Sequence, residues 1–332
     1  KSLALKAMKR GAIDIFVSSF LNKFLMLLSN VLIIRFMDST DYGVFTYAYN
    51  IITIVAIIST LGIDTAMMQF CCEDRPLEER LSIAKYAFYV GITANCVFSV
   101  LTIIAALILP LSIPEGKSAL MAMAFLLPIM SVLNYQKYWL RIAKENRKFG
   151  ILTNISSVTY LVGSLALITL LGLNGAVAGR YIGFILPIFA GVVFTKKYTK
   201  EIFKAPQLDK NNAKKVLKYG LTIAMTNGIS ELLYYLDVYV VGLVTTDPVS
   251  IAYYKSATVI PRVLTSLPAI LMIFIYPYFA FNKDRYRWVK KNVLLLQAVL
   301  APICILTAFM FIVFAPQIMT GLYGSEYIAT VL

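Results

Sequence analysis

Long apolar runs separated by short polar breaks constrain this chain more than any other feature of its sequence. The first two runs, within residues 30–60, flank the break Asp38-Ser39-Thr40-Asp41-Tyr42-Gly43. A helix needs about 20 mostly apolar residues to cross a hydrocarbon core about 30 Å thick. The chain is 59% hydrophobic and 14% charged, whereas soluble domains are roughly 45–50% apolar and about 25% charged. We therefore predict an all-α polytopic membrane protein.

The charged breaks delimit nine complete transmembrane helices, followed by the start of a tenth. The predicted spans are 12–36, 42–70, 82–109, 118–140, 150–171, 174–195, 219–244, 250–280 and 289–315. We predict three parts: an N-lobe with helices one to six (1–195), a cytoplasmic linker (196–218) and a partial C-lobe (219–332). Because the predicted tenth helix is incomplete, we expect further helices beyond residue 332.

The positive charges predict the orientation. With the N-terminus in the cytoplasm, the inner segments hold 23 of the 31 Lys and Arg residues, and the outer loops hold only Lys117. Such an excess on one side is typical of cytoplasmic loops. The net charge of +14 is therefore expected to set topology and face membrane lipids. We do not expect nucleic-acid binding.

A weak internal repeat supports a two-lobed arrangement. A shift of 209 residues superimposes 38–51 on 247–260, so that Asp38 meets Asp247 and Phe45 meets Tyr254. Both stretches join the first helix of a lobe to its second. The shift spans an even number of helices, which predicts a parallel-repeat helical bundle like that of two-lobed alternating-access transporters.

Ionisable residues at bilayer depth are costly, and they usually face a cavity or a partner. Lys23 and Arg262 lie about half-way along their predicted spans, and Lys255 shares a helix face with Arg262. These cations and Arg180 are expected to line a central cavity that attracts an anionic head group. Alternatively, Lys23 and Arg262 form structural ion pairs with Glu231 and Asp237 that tie the lobes together. The polar residues predicted to line that cavity are Asn22, Asn50, Asp64, Asn227, Glu231 and Asp237.

The residue types limit the chemistry. The chain has no histidine, which excludes Ser-His-Asp and Cys-His catalysis within it, and no phosphate-binding Walker loop is present. The predicted outer loops are too short for the catalytic loop of a glycan ligase or polymerase. We expect a protein that is not an enzyme, with no metal or cofactor. A proton or sodium gradient is a candidate for coupling, and Asp64 is either a site for the coupling cation or an inner-boundary cap.

Several motifs resemble one transporter family. "LSNVLIIRFMDSTDYGVFTYAYNIITIVAIISTLGIDTAMMQF" resembles the first two helices of the polysaccharide-export flippases, the Wzx-type O-antigen and repeat-unit transporters. Its aliphatic-Arg-aliphatic helix end, acidic-Tyr-Gly turn and Leu61-Gly62-Ile63 element carry the likeness. "GLYGSEYIATVL" is similar to the family's loop between helices nine and ten.

The resemblance implies membership of the multidrug/oligosaccharidyl-lipid/polysaccharide transporter superfamily. It implies a flippase that moves a polyprenyl-pyrophosphate-linked oligosaccharide from the inner to the outer leaflet of the bacterial cytoplasmic membrane. The family's cationic cavity would correspond to Lys23, Arg180, Lys255 and Arg262. The implied partners are the lipid-linked anionic oligosaccharide, membrane lipids, a polysaccharide polymerase and a chain-length regulator. The alternative is a cation-coupled drug or metabolite exporter of the same superfamily.

Overall fold

The computed structural model of the chain describes residues 13–262, 279 and 285–331. The side chains of residues 13–16, 227, 230, 231, 234 and 329–331 lie outside the description. The described residues form helices and no strand. In chain order these helices are α1 (Ile13–Phe36), α2 (Ser39–Ser59), α3 (Ile63–Cys72), α4 (Leu77–Ile108), α5 (Gly116–Ala124), α6 (Leu126–Ile142), α7 (Asn146–Lys204), α8 (Lys210–Val244), α9 (248–262) and α10 (Tyr286–Tyr323), with a final 3₁₀ helix at Ser325–Val331.

Several helices begin earlier than the apolar spans predict. α2 starts at Ser39 because the Asp38 carboxylate accepts hydrogen bonds from the backbone N–H groups of Thr40 and Asp41. Asp209 caps α8 in the same way, so the predicted linker is helical except at residues 205–209. Hydropathy locates the part of a helix that lies in hydrocarbon, whereas a side-chain cap locates where the helix begins.

Four predicted spans are interrupted or joined by turns. The second span is broken between α2 and α3, where Leu61 (φ 50°) and Gly62 (φ 62°) adopt left-handed backbone conformations. The fourth span consists of α5 and α6, which meet at a bend of 43°. The fifth and sixth spans are the two segments of α7, which meet at Gly172 (φ 54°, ψ −126°).

The C-terminal part differs more from the prediction. The eighth span is described only over 248–262, and its remainder lies outside the described residues. α10 continues past Pro316 to Tyr323, eight residues beyond the predicted end of the ninth span. Where a tenth helix was predicted to begin, the chain forms the 3₁₀ helix instead.

The apolar character of the helices indicates a multi-pass membrane protein. In the described part of the chain, α1, α2, α4, α7 and α10 are each long and apolar enough to cross a membrane, and the bent pair α5–α6 would make a sixth span. Within the described residues, α8 offers a shorter apolar stretch, Tyr235–Val244. The lengths agree with several membrane spans without establishing the predicted number of nine.

Two close backbone approaches join the first six predicted spans to the following helices. At the end of the bundle with the α1–α2 turn, a Cβ on Gly43 would lie 1.9 Å from the carbonyl oxygen of Pro248. At the opposite end, a Cβ on Gly62 would lie 2.1 Å from the carbonyl oxygen of Gly220. The first end is the predicted outer end and the second the predicted inner end. α2 and α3 therefore pack against α8 and α9 at both ends of the bundle.

Candidate functional site

A cavity of about 210 Å³ lies among α1, α2, α6 and α7. Its walls combine amide and hydroxyl groups, aromatic rings and two cations. The lining residues are Asn22, Met26, Asn30, Tyr49, Lys137, Thr153, Ser156, Ser157, Tyr160, Arg180, Gly183 and Phe184. It is therefore a polar, positively charged pocket within the predicted N-lobe.

The Arg180 guanidinium is held between two tyrosine rings. Its Cζ lies 3.9 Å from the ring centroid of Tyr49 and 3.9 Å from that of Tyr160. Phe45 is a third aromatic neighbour, at 5.7 Å. Cation–π contacts of this kind fix the plane of the guanidinium without using its hydrogen-bond donors. The N–H groups of Arg180 consequently stay available, and its buried Nε has no hydrogen-bond partner in the described part of the chain.

A glycine stripe brings these rings to the arginine. Gly175, Gly179 and Gly183 recur every fourth residue in the second segment of α7, so they share one helix face. A Cβ on Gly179 would lie 2.6 Å from the Cα of Ser164, and one on Gly183 would lie 2.7 Å from the Cβ of Tyr160. Small residues let membrane helices approach closely. The two segments of α7 thus pack tightly beside Arg180.

The turn at the top of this hairpin is tied to the α1–α2 turn. The Asp41 carboxylate accepts a hydrogen bond of 3.1 Å from the backbone N–H of Leu173, just after Gly172. An acceptor at this place satisfies one free donor at the start of the second α7 segment. Arg180 follows two helical turns later, roughly 10 Å along the axis from Leu173 at 1.5 Å per residue. The guanidinium is therefore well below the predicted outer end.

Lys137 supplies the second cation of the pocket from α6. It has no ion pair or hydrogen bond with a described residue through its side chain, and the same is true of Arg180. The opposite wall is neutral: the Asn22 side-chain amide donates to Ser157 Oγ at 2.5 Å, while Ser156 Oγ donates to the carbonyl of Gly183 at 2.7 Å. The pocket thus contains two cations that have no carboxylate partner among the described residues. The other polar groups in its walls are neutral hydrogen-bonding side chains.

A second ionic cluster joins α8 and α9. Arg262 Nη2 lies 2.6 Å from Asp237 Oδ2, and the Tyr254 hydroxyl donates to the same oxygen at 3.2 Å. Lys255 lies near this cluster, within electrostatic range of Arg262, Asp237 and Arg180. Among the described residues, Asp237 therefore pairs directly with Arg262, and Lys255 lies within electrostatic range of that pair.

The residues that were predicted to line one cavity do not all lie at the same site in the structure. Arg180, Lys255 and Arg262 lie near one another, and Asn22 lines the pocket. Lys23 is exposed, while its neighbours Asn22, Met26 and Asn30 form the α1 wall. As a residue of the proposed cavity, Lys23 stays a prediction.

Other predicted residues have structural contacts. Asn50 is buried, and its side-chain amide donates to the carbonyl of Tyr235 at 2.5 Å, linking α2 to α8. Asp64 is buried in the first turn of α3, where a carboxylate favours the helix N-terminus. Asp237 is the partner of Arg262. The side chains of Asn227 and Glu231 lie outside the described residues.

The residues predicted to line the cavity did not include Lys137, Tyr49, Tyr160 or the neutral Ser157. The four-residue spacing of glycines in "GAVAGRYIG" was a usable signal, because it predicts a tightly packed helix face beside Arg180. No spacing in the sequence relates Tyr49 to Tyr160, which are separated by more than a hundred residues. Among the described residues, no three of His, Cys, Asp and Glu are grouped to hold a metal ion.

Several solved membrane transporters have a fold similar to that of this chain. The chain is similar to a MATE protein solved in complex with MaL6 (TM-score 0.64, 14% identity, covering 99% of this chain and 76% of that one). It is similar to a MOP superfamily transporter from Pyrococcus furiosus Vc1 (DSM3638), for which reverse polarity of the binding pocket suggests a different function (TM-score 0.63, 14% identity, coverage 99% and 76%). It also matches an outward-facing multidrug resistance MATE family transporter (TM-score 0.62, 13% identity, coverage 99% and 76%).

These likenesses concern the fold alone, a multi-pass helical arrangement like that of the solved transporters. A family profile described as "Polysaccharide biosynthesis protein" matches residues 8–283. The chain belongs to this polysaccharide biosynthesis family. No curated protein matches the sequence. The resemblance drawn from the first two helices and the Leu-Gly element is confirmed at the level of the family.

Proposed function

We propose that this protein is a flippase that moves a polyprenyl-pyrophosphate-linked oligosaccharide repeat unit from the inner to the outer leaflet by alternating access. The observation that carries the proposal is the group of cations without carboxylate partners. Arg180, Lys137 and Lys255 have no ion pair with a described residue, whereas Arg262 is paired with Asp237. Unpaired charges at membrane depth are unfavourable. An anionic ligand would remove that cost.

The type of cation favours a phosphate-containing ligand. A guanidinium binds phosphate oxygens through two parallel N–H donors, and an ammonium adds a compact point charge. The Tyr49–Arg180–Tyr160 stack holds the guanidinium plane before any ligand arrives, so little side-chain entropy is lost on binding. Arg180 and Lys137 have no ion pair with a described residue, and two such positive charges in one pocket also suit a diphosphate better than a singly charged carboxylate.

The size of the pocket suggests which part of the ligand it holds. Pockets for drug-sized ligands measure about 300–1,000 Å³, and this one measures about 210 Å³. It can accept a diphosphate head group but not an oligosaccharide with its lipid. We expect the oligosaccharide to extend from the diphosphate past Lys255 toward α8 and α9.

Two features support alternating access between lobes. Asp38 caps α2, and Asp247 accepts hydrogen bonds from the backbone N–H groups of Val249 and Ser250 at the start of α9. These are the two aspartates that the 209-residue shift superimposes, so the second helix of each predicted lobe begins with the same kind of N-terminal cap.

The lysine-rich inner segments favour a cytoplasmic N-terminus in a bacterial cytoplasmic membrane.

Surface glycan measured in cells tests this proposal. Arg180→Gln and Lys255→Gln should each lower surface glycan at least about tenfold, if each cation contributes ~1.5–3 kcal/mol of charge-assisted hydrogen bonding. Lys117→Gln is the control, because Lys117 lies in a predicted outer loop and donates to the carbonyl of Leu107. Titration of the purified variants with a short-chain prenyl pyrophosphate gives the direct measurement. Normal export and normal binding in both variants would refute the assignment.

The second candidate is a cation-coupled drug or metabolite exporter. Asp64 favours it, since this buried carboxylate has no hydrogen bond or ion pair with a described residue, and one structural neighbour is a multidrug resistance transporter. Asp64→Asn and Asp237→Asn separate the two functions. An exporter should lose efflux in both variants, whereas a flippase should keep prenyl pyrophosphate binding in Asp64→Asn.

A further inference from the structure

Four tyrosines meet at the predicted outer end of the bundle. They are Tyr42 on α2, Tyr253 on α9, Tyr323 at the end of α10 and Tyr327 in the 3₁₀ helix. The ring centroids of Tyr253 and Tyr327 are 5.6 Å apart, and those of Tyr323 and Tyr327 are 5.8 Å apart. Tyr42, Tyr323 and Tyr327 are exposed by only 4%, 3% and 2%. We call these four residues the outer tyrosine cluster.

The cluster closes a boundary between parts of the chain that are predicted to belong to different lobes. Tyr42 comes from the first lobe, whereas the other three tyrosines come from the second. The boundary also contains the close backbone approach of Gly43 to Pro248. Beside it, Arg35 Nη1 donates to the carbonyl of Gly321 at 3.4 Å, linking the end of α1 to α10. Several contacts therefore hold this end shut.

One face of α2 connects the cluster to the pocket. Tyr42, Phe45 and Tyr49 are spaced at i, i+3 and i+7, so they lie on one side of the helix. The rings of Phe45 and Tyr49 are stacked, with centroids 6.0 Å apart and planes at 3°, and Tyr49 covers Arg180. All three residues belong to, or pack against, the same apolar core as Tyr323 and Tyr327. A movement of the cluster would thus reach the Arg180 stack through packed rings.

We propose that the outer tyrosine cluster is an aromatic latch between the lobes, which must separate before the Arg180 pocket opens to the outside. The inference rests on the proposed transport function. Tyrosine suits this role because its ring buries apolar area while its hydroxyl tolerates water. A latch made of such rings can close against solvent and still be hydrated when it parts. Breaking one ring contact shifts the equilibrium toward the outward-open state.

Cysteine accessibility tests the latch. The reporter is Asn30→Cys, which lines the pocket, in a chain whose four free cysteines at 71, 72, 96 and 304 are replaced by alanine. A membrane-impermeant maleimide is added outside intact cells. Tyr323→Ala should raise the labelling rate by about tenfold or more, because a large-to-small change at a buried position destabilises the packed state by at least that factor.

Tyr323→Phe is the matched control. The buried Tyr323 hydroxyl has no hydrogen-bond partner in the described part of the chain, so the phenylalanine ring should keep the latch closed and labelling within about twofold of the parent, since only one unpaired polar atom is lost. Tyr253→Ala and Tyr253→Phe repeat the comparison if Tyr323→Ala does not fold. Equal labelling of a folded alanine variant and its parent overturns the latch. Arg180→Gln should reduce glycan export without changing the labelling, so the proposed function can fail separately from the latch.

Discussion

Gly183→Ala probes how the α7 hairpin builds the pocket. In the wild-type chain, the added Cβ would lie 2.7 Å from the Cβ of Tyr160 and 3.1 Å from its Cα. Ordinary contacts of a Cβ lie at 3.4–4 Å, and the Cα cannot rotate away. The two segments of α7 must therefore separate by several tenths of an ångström, which is the type of overpacking that costs about 1–3 kcal/mol.

The separation carries the Tyr160 ring away from Arg180. Each cation–π contact contributes roughly 0.5–2 kcal/mol, so partial loss of the stack should weaken binding of a short-chain prenyl pyrophosphate about two- to thirtyfold. Isothermal titration of the detergent-purified protein measures the affinity, and thermal unfolding in the same detergent measures the packing cost.

Gly321→Ala is the control for adding a methyl group to a helical glycine. Nothing lies within 4 Å of a Cβ at Gly321, so this variant should bind normally. It should unfold at the same or a slightly higher temperature, because alanine is a better helix former by about 1 kcal/mol. If Gly183→Ala bound and unfolded like Gly321→Ala, the proposed link between hairpin packing and the arginine stack would be wrong.

Two further predictions concern charges. Lys137→Gln should weaken prenyl pyrophosphate binding at least about fivefold in the same titration, since a charge-assisted hydrogen bond is lost, while Lys148→Gln, which removes a surface pair with Glu145, should not. The backbone N–H groups of Asn212 and Asn211 lower the pKa of Asp209 below its ordinary value of 3.8. Its cap should therefore stabilise the start of α8 fully above pH 3.8 and lose effect as the pH falls through the lower folded pKa. Hydrogen exchange at the first turn of α8 should show this acid dependence in the parent and not in Asp209→Asn.

The sequence was sufficient to predict that the chain is helical and lies in a membrane, because each apolar run meets a length requirement set by the bilayer alone. The helix caps also depend only on nearby sequence, because the carboxylates of Asp38 and Asp247 accept hydrogen bonds from backbone N–H groups two and three positions later. The tenth-helix prediction differed from the observed 3₁₀ helix since apolar residues after a turn do not by themselves select between helix types.

The candidate site also combines residues that could be selected from the sequence with residues that could not. Arg180, Lys255 and Arg262 could be selected from the sequence, because an ionisable residue in an apolar run is costly wherever the helix packs. Asp237 was among the acids expected to pair with these cations, and it pairs with Arg262 across a turn. The rings around Arg180 could not be selected from the sequence, and Lys137 reaches the pocket from a helix with a bend at its start.

By itself, the sequence determined the class of protein, the approximate places of its apolar spans and the cations that need a partner, since these depend on hydropathy and the cost of burying charge. Only the tertiary structure decided which rings hold Arg180, which cation keeps a carboxylate and which tyrosines meet at the outer end. Those outcomes depend on how closely two helices approach. At Gly179 and Gly183 the tight packing requires the absence of a side chain, a constraint that acts between residues distant in the chain.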